Sequence, residues 1–119
     1  MEEALQESAR DTYIEIVESY FDALDDRRVA DVLDYFNEDA IFVVQSAFLN
    51  YSGRDSEIKN MFEGFLDSYK TVLHTDFEHI VDPFSYSISS RFRVELESAS
   101  GSHDTKQSVN HWYLKNGKF

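Results

Sequence analysis

Between Thr12 and Ile58 the chain runs through its elements in an order that few folds can use. Two short amphipathic stretches, TYIEIVESYFDALDD and RRVADVLDYF, lead into NEDAIFVV, and NYSGRDSEIKNMF then opens a third helical pattern. In the first stretch Tyr13, Ile16, Val17, Tyr20, Phe21 and Leu24 fall three and four residues apart, which makes one helical stripe. Thr12-x-x-Glu15 has the form of a capping box at its start. Asp25-Asp26 interrupts the stripe. Either carboxylate can accept from the free amides that open a second helix, striped by Val29, Val32, Leu33 and Phe36. After the polar turn Asn37-Glu38-Asp39, the run Ala40-Ile41-Phe42-Val43-Val44 is apolar and rich in β-branched residues, the pattern of a strand covered on both faces. Ala47-Phe48-Leu49 is a candidate partner strand. Beyond Gly53 the third helix carries Ile58, Met61, Phe62, Phe65, Leu66 and Tyr69.

The remainder reads as strands. Thr71 to Val81 is the first, stopped by Asp82-Pro83. Phe84 to Glu97 is the second, with Phe84, Tyr86, Ile88, Phe92, Val94 and Leu96 in phase on one face. Ser98 to Ser102 forms a turn around Gly101. Lys106 to Lys115 is the third strand, and Asn116-Gly117 is a hairpin signal that leads into Lys118-Phe119.

At 119 residues the chain is one domain, residues 1–119. Ten Phe and seven Tyr supply apolar area for a core, a pocket wall or a subunit contact. The net charge of −12 repels phosphate backbones and anionic lipid heads, so neither nucleic acid nor membrane is an expected partner. There is no cysteine, hence no disulfide framework, thiol nucleophile or thiolate metal site. The opening MEEALQES lacks the basic start and apolar run of a signal peptide, and a cytoplasmic location is the expectation. His74, His79, His103 and His111 lack a compact ligand spacing, and no glycine-rich phosphate loop is present. No metal or cofactor is therefore expected. The acidic pairs Glu2-Glu3, Asp25-Asp26 and Glu38-Asp39 read as caps and solvated faces.

The order helix, helix, polar turn, apolar strand, loop, helix resembles the opening of the nuclear transport factor two-like superfamily, and its SnoaL-like branch in particular. That resemblance implies an α+β cone: a curved, mostly antiparallel sheet with three helices over its concave face and a pocket inside. The S-x-N-x-W-Y of Ser108 to Tyr113 is similar to the matching strand of the scytalone dehydratase family, which implies substrate contact by Ser108 and Asn110. Against the ketosteroid isomerase family, Asn110 falls on an oxyanion-hole position, and Tyr20 in V-E-S-Y-F-D-A-L matches that family's helix-one tyrosine. His74 in V-L-H-T-D-F falls where scytalone dehydratases keep a pocket histidine.

Strand phase adds to this. Period two places Ser108, Asn110 and Trp112 on one face and Val109, His111 and Tyr113 on the other. His74 and Asp76 are i, i+2, so a regular strand gives them a common face, where a carboxylate orients an imidazole for acid–base work. The same count puts His79 on the face opposite His74. The ketosteroid isomerase base, four residues beyond the alanine of E-D-A, is Val44 here, so that reaction is not expected. The tyrosine that scytalone dehydratases carry near the end of this strand also aligns with Val44, and their helix-one tyrosine with Leu24. A full last strand follows the G-K-apolar turn in the superfamily, which implies a shortened pocket wall here.

Two readings follow. One is a cofactor-free isomerase, dehydratase or cyclase acting on a small apolar or aromatic ligand. His74 and Asp76 would be its acid–base pair, Asn110 and Tyr20 its donors, and Phe42, Val44, Phe62, Ser108 and Trp112 its ligand-binding wall. The other is a non-catalytic ligand-binding or association module of the same fold. Val109 and Tyr113 on the outer face point to a homodimer.

Overall fold

The computed structural model describes residues 2–119, with side chains from Ser8 onward; the Glu2-Glu3 pair lies outside the described side chains. Helix α1 spans Glu2–Asp25 and α2 spans Val29–Asp34. A hairpin of β1 (Ile41–Val44) and β2 (Leu49–Ser52) follows. A wide π-type turn over Gly53–Ile58 then leads into α3 (Lys59–Ser68). Three long strands complete the chain: β3 (Tyr69–Asp82), β4 (Ser87–Ser98) and β5 (His103–Tyr113). Among the described residues no helix is long and apolar enough to cross a membrane.

All strand pairs are antiparallel, as expected, but they form two sheets rather than one, β1–β2 and β3–β4–β5. The three helices lay their stripes on one face of the long sheet. Val17, Tyr20, Phe21 and Leu24 of α1, Val32, Leu33 and Phe36 near α2, and Ile58, Phe62 and Leu66 at α3 meet Val72, Ile88, Phe92, Val94, Leu96 and Trp112 in a single core. Burying each large apolar side chain contributes about 1.5–3 kcal/mol, which makes this aromatic-rich cluster the main support of the fold.

Several local expectations give way to tertiary structure. α1 starts ten residues before Thr12, because EEALQESARD is made largely of good helix formers. Thr12 caps nothing; its hydroxyl donates to the Ser8 carbonyl one turn back, at 2.9 Å. α2 opens at Arg28 without a side-chain cap. Asp26 pairs instead with Arg28 at 2.8 Å. β1 is not covered on both faces: Ile41 and Val43 are exposed while Phe42 and Val44 face inward. The β1 partner strand begins only at Leu49, after a turn in which Phe48 takes a left-handed conformation. Phe84 and Tyr86 leave the apolar face of β4 for the same kind of reason. They sit in the tight turn capped by Asp82, and Tyr86 has φ +51°.

Asn116 and Gly117, at φ +55° and +77°, turn the chain as their sequence suggests. The end of the chain is then clamped by Asn37, whose side-chain amide donates to the carbonyls of Lys115, Lys118 and Phe119 at 3.0–3.1 Å. Phe119 stacks on Trp112, with ring centroids 5.5 Å apart. No strand joins β1 to β5 among the described residues. A cleft of about 1110 Å³ separates them, walled by Phe42, Val44, Ser108, Trp112 and Phe119 among others.

Candidate functional site

A cavity of about 710 Å³ lies between the helices and the long sheet. Its wall is rich in aromatic rings, with Tyr20 and Phe21 from α1, Phe42 from β1, Tyr51 from β2, Phe62 and Phe65 from α3 and Phe92 from β4, alongside aliphatic Leu24, Val44, Val94 and Leu96. The polar side chains on the wall are His74 from β3, Lys106, Ser108 and Asn110 from β5, and Asn60 and Ser68 from α3. Phe42, Val44, Ser108 and Asn110 wall both this cavity and the β1–β5 cleft, so the two spaces adjoin.

His74 is the most constrained polar group here. Its side chain is 7% exposed and its ring lies 4.4 Å from Phe21, centroid to centroid, with Phe92 edge-on at 5.2 Å. Its partner is Asp25, at the end of α1, rather than Asp76. The Asp25 carboxylate accepts from the His74 backbone N–H at 2.8 Å and meets the ring Nδ1 at 2.5 Å. A carboxylate on Nδ1 fixes the proton there in the neutral ring, which leaves the Nε2 lone pair without a partner among the described residues.

Asp76 is held away by a β-bulge. From Thr75↔Arg93 to Glu78↔Arg91, β3 takes three steps against two on β4. Asp76 supplies the extra residue at φ +57°, a conformation aspartate tolerates better than most residues. It is solvent-exposed. The bulge also reverses the strand phase, so Phe77 and His79 turn toward the core beside His74. The expected opposition of His74 and His79 fails for the same reason.

Tyr20 is 1% exposed and wedged edge-on among Phe36, Phe62, Trp112 and Phe119. Burial, reinforced by the nearby Asp25 charge, pushes its hydroxyl far above the usual phenol range. At neutral pH it is a donor and never a base. Asn110 and Ser108 lie on the inward face of β5, with Val109, His111 and Tyr113 outward. No protein partner holds the Asn110 amide among the described residues. Trp112 is on the same face but 7% exposed beneath Tyr20, Phe21 and Phe119. It lines the neighbouring cleft, not the cavity. The geometry thus collects His74, Tyr20, Asn110, Ser108, Phe42, Val44 and Phe62 around one space and leaves Asp76 and Trp112 out of it.

Sequence reasoning missed Asp25, Phe21 and Phe92. Asp25 had a signal. Val17, Phe21 and Asp25 are four apart, so the carboxylate continues the buried face of α1. Among the described residues no three His, Asp or Glu side chains are grouped so that they could hold a metal ion.

Residues 8–113 match the family model described as a SnoaL-like domain. No curated protein matches the sequence. Among solved structures, a putative polyketide cyclase from Xanthomonas campestris superposes with a TM-score of 0.82 at 14% identity, over 92% of this chain and 86% of that one. An NTF2-like protein of unknown function from Exiguobacterium gives 0.74 at 21% identity, over 87% and 90%. TerC, co-crystallised with polyporic acid, gives 0.76 at 18%, over 90% and 85%. At such identities the likeness establishes a common NTF2-like α+β fold.

Proposed function

The chain belongs to the SnoaL-like family, and from that premise we propose that it binds a planar, largely apolar small molecule bearing oxygen at one end. The observation that carries this reading is the Asp25–His74 pair, whose histidine is set into the wall of a largely apolar, aromatic-rich cavity. A buried ion pair or strong hydrogen bond in such a place costs desolvation that core packing alone does not call for. The cyclase and TerC neighbours agree in class with a ligand of this kind.

We read the chemistry as cofactor-free acid–base catalysis of the isomerase, dehydratase or cyclase type. His74 Nε2 would take a proton from carbon beside a ligand carbonyl while Asp25 stabilises the imidazolium. The carbonyl oxygen gains the charge, and the Tyr20 hydroxyl and Asn110 amide supply donors to it. The proton then returns to another carbon, or to a departing hydroxyl that leaves as water. Neither route needs an outside oxidant or reductant. The second reading is binding without turnover. Val44, where a carboxylate base would stand, and the cleft that adjoins the cavity both favour it, because acid–base chemistry gains most in a site closed to water.

Both readings require the ligand to meet Asn110. Calorimetric titration with planar aromatic ketones and hydroxyquinones is expected to give a cavity binder whose affinity falls about tenfold in Asn110→Ala, the usual net worth of one hydrogen bond. An unchanged affinity in that variant would remove Asn110 from the site.

We also propose a homodimer through the outer face of the long sheet, where Leu73, Ile80, Val109 and Tyr113 are 43–77% exposed. Light scattering at micromolar concentration should give twice the 13.9 kDa chain mass. The monomer mass would count against it.

A further inference from the structure

Helix α3 turns one face to the cavity. Asn60, Met61, Gly64, Phe65 and Ser68, spaced three and four apart, all stand on its wall. Gly64 is at the middle of that face and of the helix. Glycine is, after proline, the least favourable residue in a helix interior. Two structural needs call for it all the same: a left-handed backbone, or a neighbour pressed against the Cα. Neither holds here. Gly53, Gly101 and Gly117 have positive φ, and Gly64 does not. A Cβ built on Gly64 would have no atom within 4 Å. The packing of the fold therefore has room for a side chain at this position. What the missing side chain leaves is a notch in the cavity wall, bounded one turn back by Asn60 and Met61 and one turn on by Ser68. Gly64 is exposed, so the notch stands at the cavity mouth.

The backbone that floors the notch offers shape and no free hydrogen bond. The Gly64 carbonyl already accepts from the Ser68 hydroxyl at 2.9 Å, and its N–H belongs to the helix ladder. The groups suited to a ligand oxygen lie on other elements, Tyr20 on α1, His74 on β3 and Asn110 on β5. We propose that Gly64 is a specificity-determining residue, whose missing side chain sets how large an apolar group the ligand can carry at the end away from its oxygen. The inference rests on the cavity being the ligand site. On this view a flat or extended apolar group lies across the Gly64 backbone, and each carbon added to residue 64 shortens the ligand that fits.

The test is calorimetric titration with two aromatic ketones that share the carbonyl end, acetophenone and para-phenylacetophenone. Gly64→Leu is expected to weaken the longer ketone about tenfold or more, the usual effect of crowding a filled space, and to leave acetophenone within about twofold. Glu63→Leu puts the same bulk on a neighbouring residue outside the cavity wall and should change neither. Asn110→Ala should weaken both alike, because the carbonyl is common to them. Without ligand, Gly64→Ala should melt higher than the unaltered protein, since alanine is the better helix former and meets no neighbour. If Gly64→Leu does not fold, Gly64→Ala takes its place in the titrations, with a smaller loss confined to the longer ketone.

A Gly64→Leu variant that weakens both ketones equally, or neither, would overturn the proposal and leave the cavity reading standing. So would an unaltered protein that binds acetophenone alone, or a Gly64→Ala variant that melts lower, because the glycine would then serve the backbone. Binding of neither ketone by the unaltered protein would remove the cavity as a ligand site and this role of Gly64 with it.

Discussion

Asp25→Ala is expected to lower kcat by about 10²-fold or more, as much as His74→Ala, the usual size of a general acid–base contribution. Asp25 does two jobs with one carboxylate, holding the His74 backbone N–H and its ring Nδ1 at once. Removing it frees the ring to turn, loses the partner of the imidazolium, and leaves two buried donors without an acceptor. The last effect costs about 1–3 kcal/mol of stability for each donor left unpaired. Asp25→Asn separates the terms. Its amide oxygen still accepts one of the two bonds, so most of the stability should return while the rate does not. The checks are single-turnover rates on a substrate found by titration, beside thermal melts of the three variants. Rates within twofold of the unaltered protein would leave the pair a structural hydrogen bond.

Phe21→Ala is expected to cost about 3–5 kcal/mol, the range for deleting a buried phenyl ring. Phe21 is 2% exposed and its ring lies 4.4–5.8 Å from those of Tyr20, His74, Phe77, Phe92 and Trp112. It is the point where α1, β3, β4 and β5 meet. Domains of this size hold roughly 5–15 kcal/mol in total, so the variant should be marginal or unfolded at 37 °C. Phe84→Ala is the control, because Phe84 is 72% exposed and should change stability by no more than about 0.5 kcal/mol. Urea midpoints at constant m-value measure both.

The helices and strands were legible because their apolar residues keep time with the backbone. The stripe of α1, the inward set of β4 and the two faces of β5 all follow from spacing. β5 followed it residue for residue because its register with β4 runs without a shift. β3 did not, because one extra residue at Asp76 reverses every side chain beyond it, and nothing near Asp76 in the sequence announces a bulge except a residue type that tolerates positive φ. The His74 partner was therefore sought two residues away and found 49 residues away, on another element. Local rules favour caps and turns for Asp25 and Asp26, and such rules hold only until a distant donor outbids the free amides. Trp112 shows a further limit. Facing inward is set by strand phase, but whether an inward side chain lines a cavity or fills the core depends on what packs over it, here Tyr20 and Phe119.

On the proposed function, a ligand sits in the space between α1, α3 and the long sheet, beside His74. A crystal structure with a planar hydroxyquinone or aromatic ketone tests it most directly. The prediction is a ligand ring among Phe21, Phe62 and Phe92, with an oxygen within about 3.2 Å of His74 Nε2 or the Asn110 amide. A ligand seated only in the β1–β5 cleft or on the outer sheet face, with His74 touched by nothing but Asp25 and its aromatic neighbours, would contradict it.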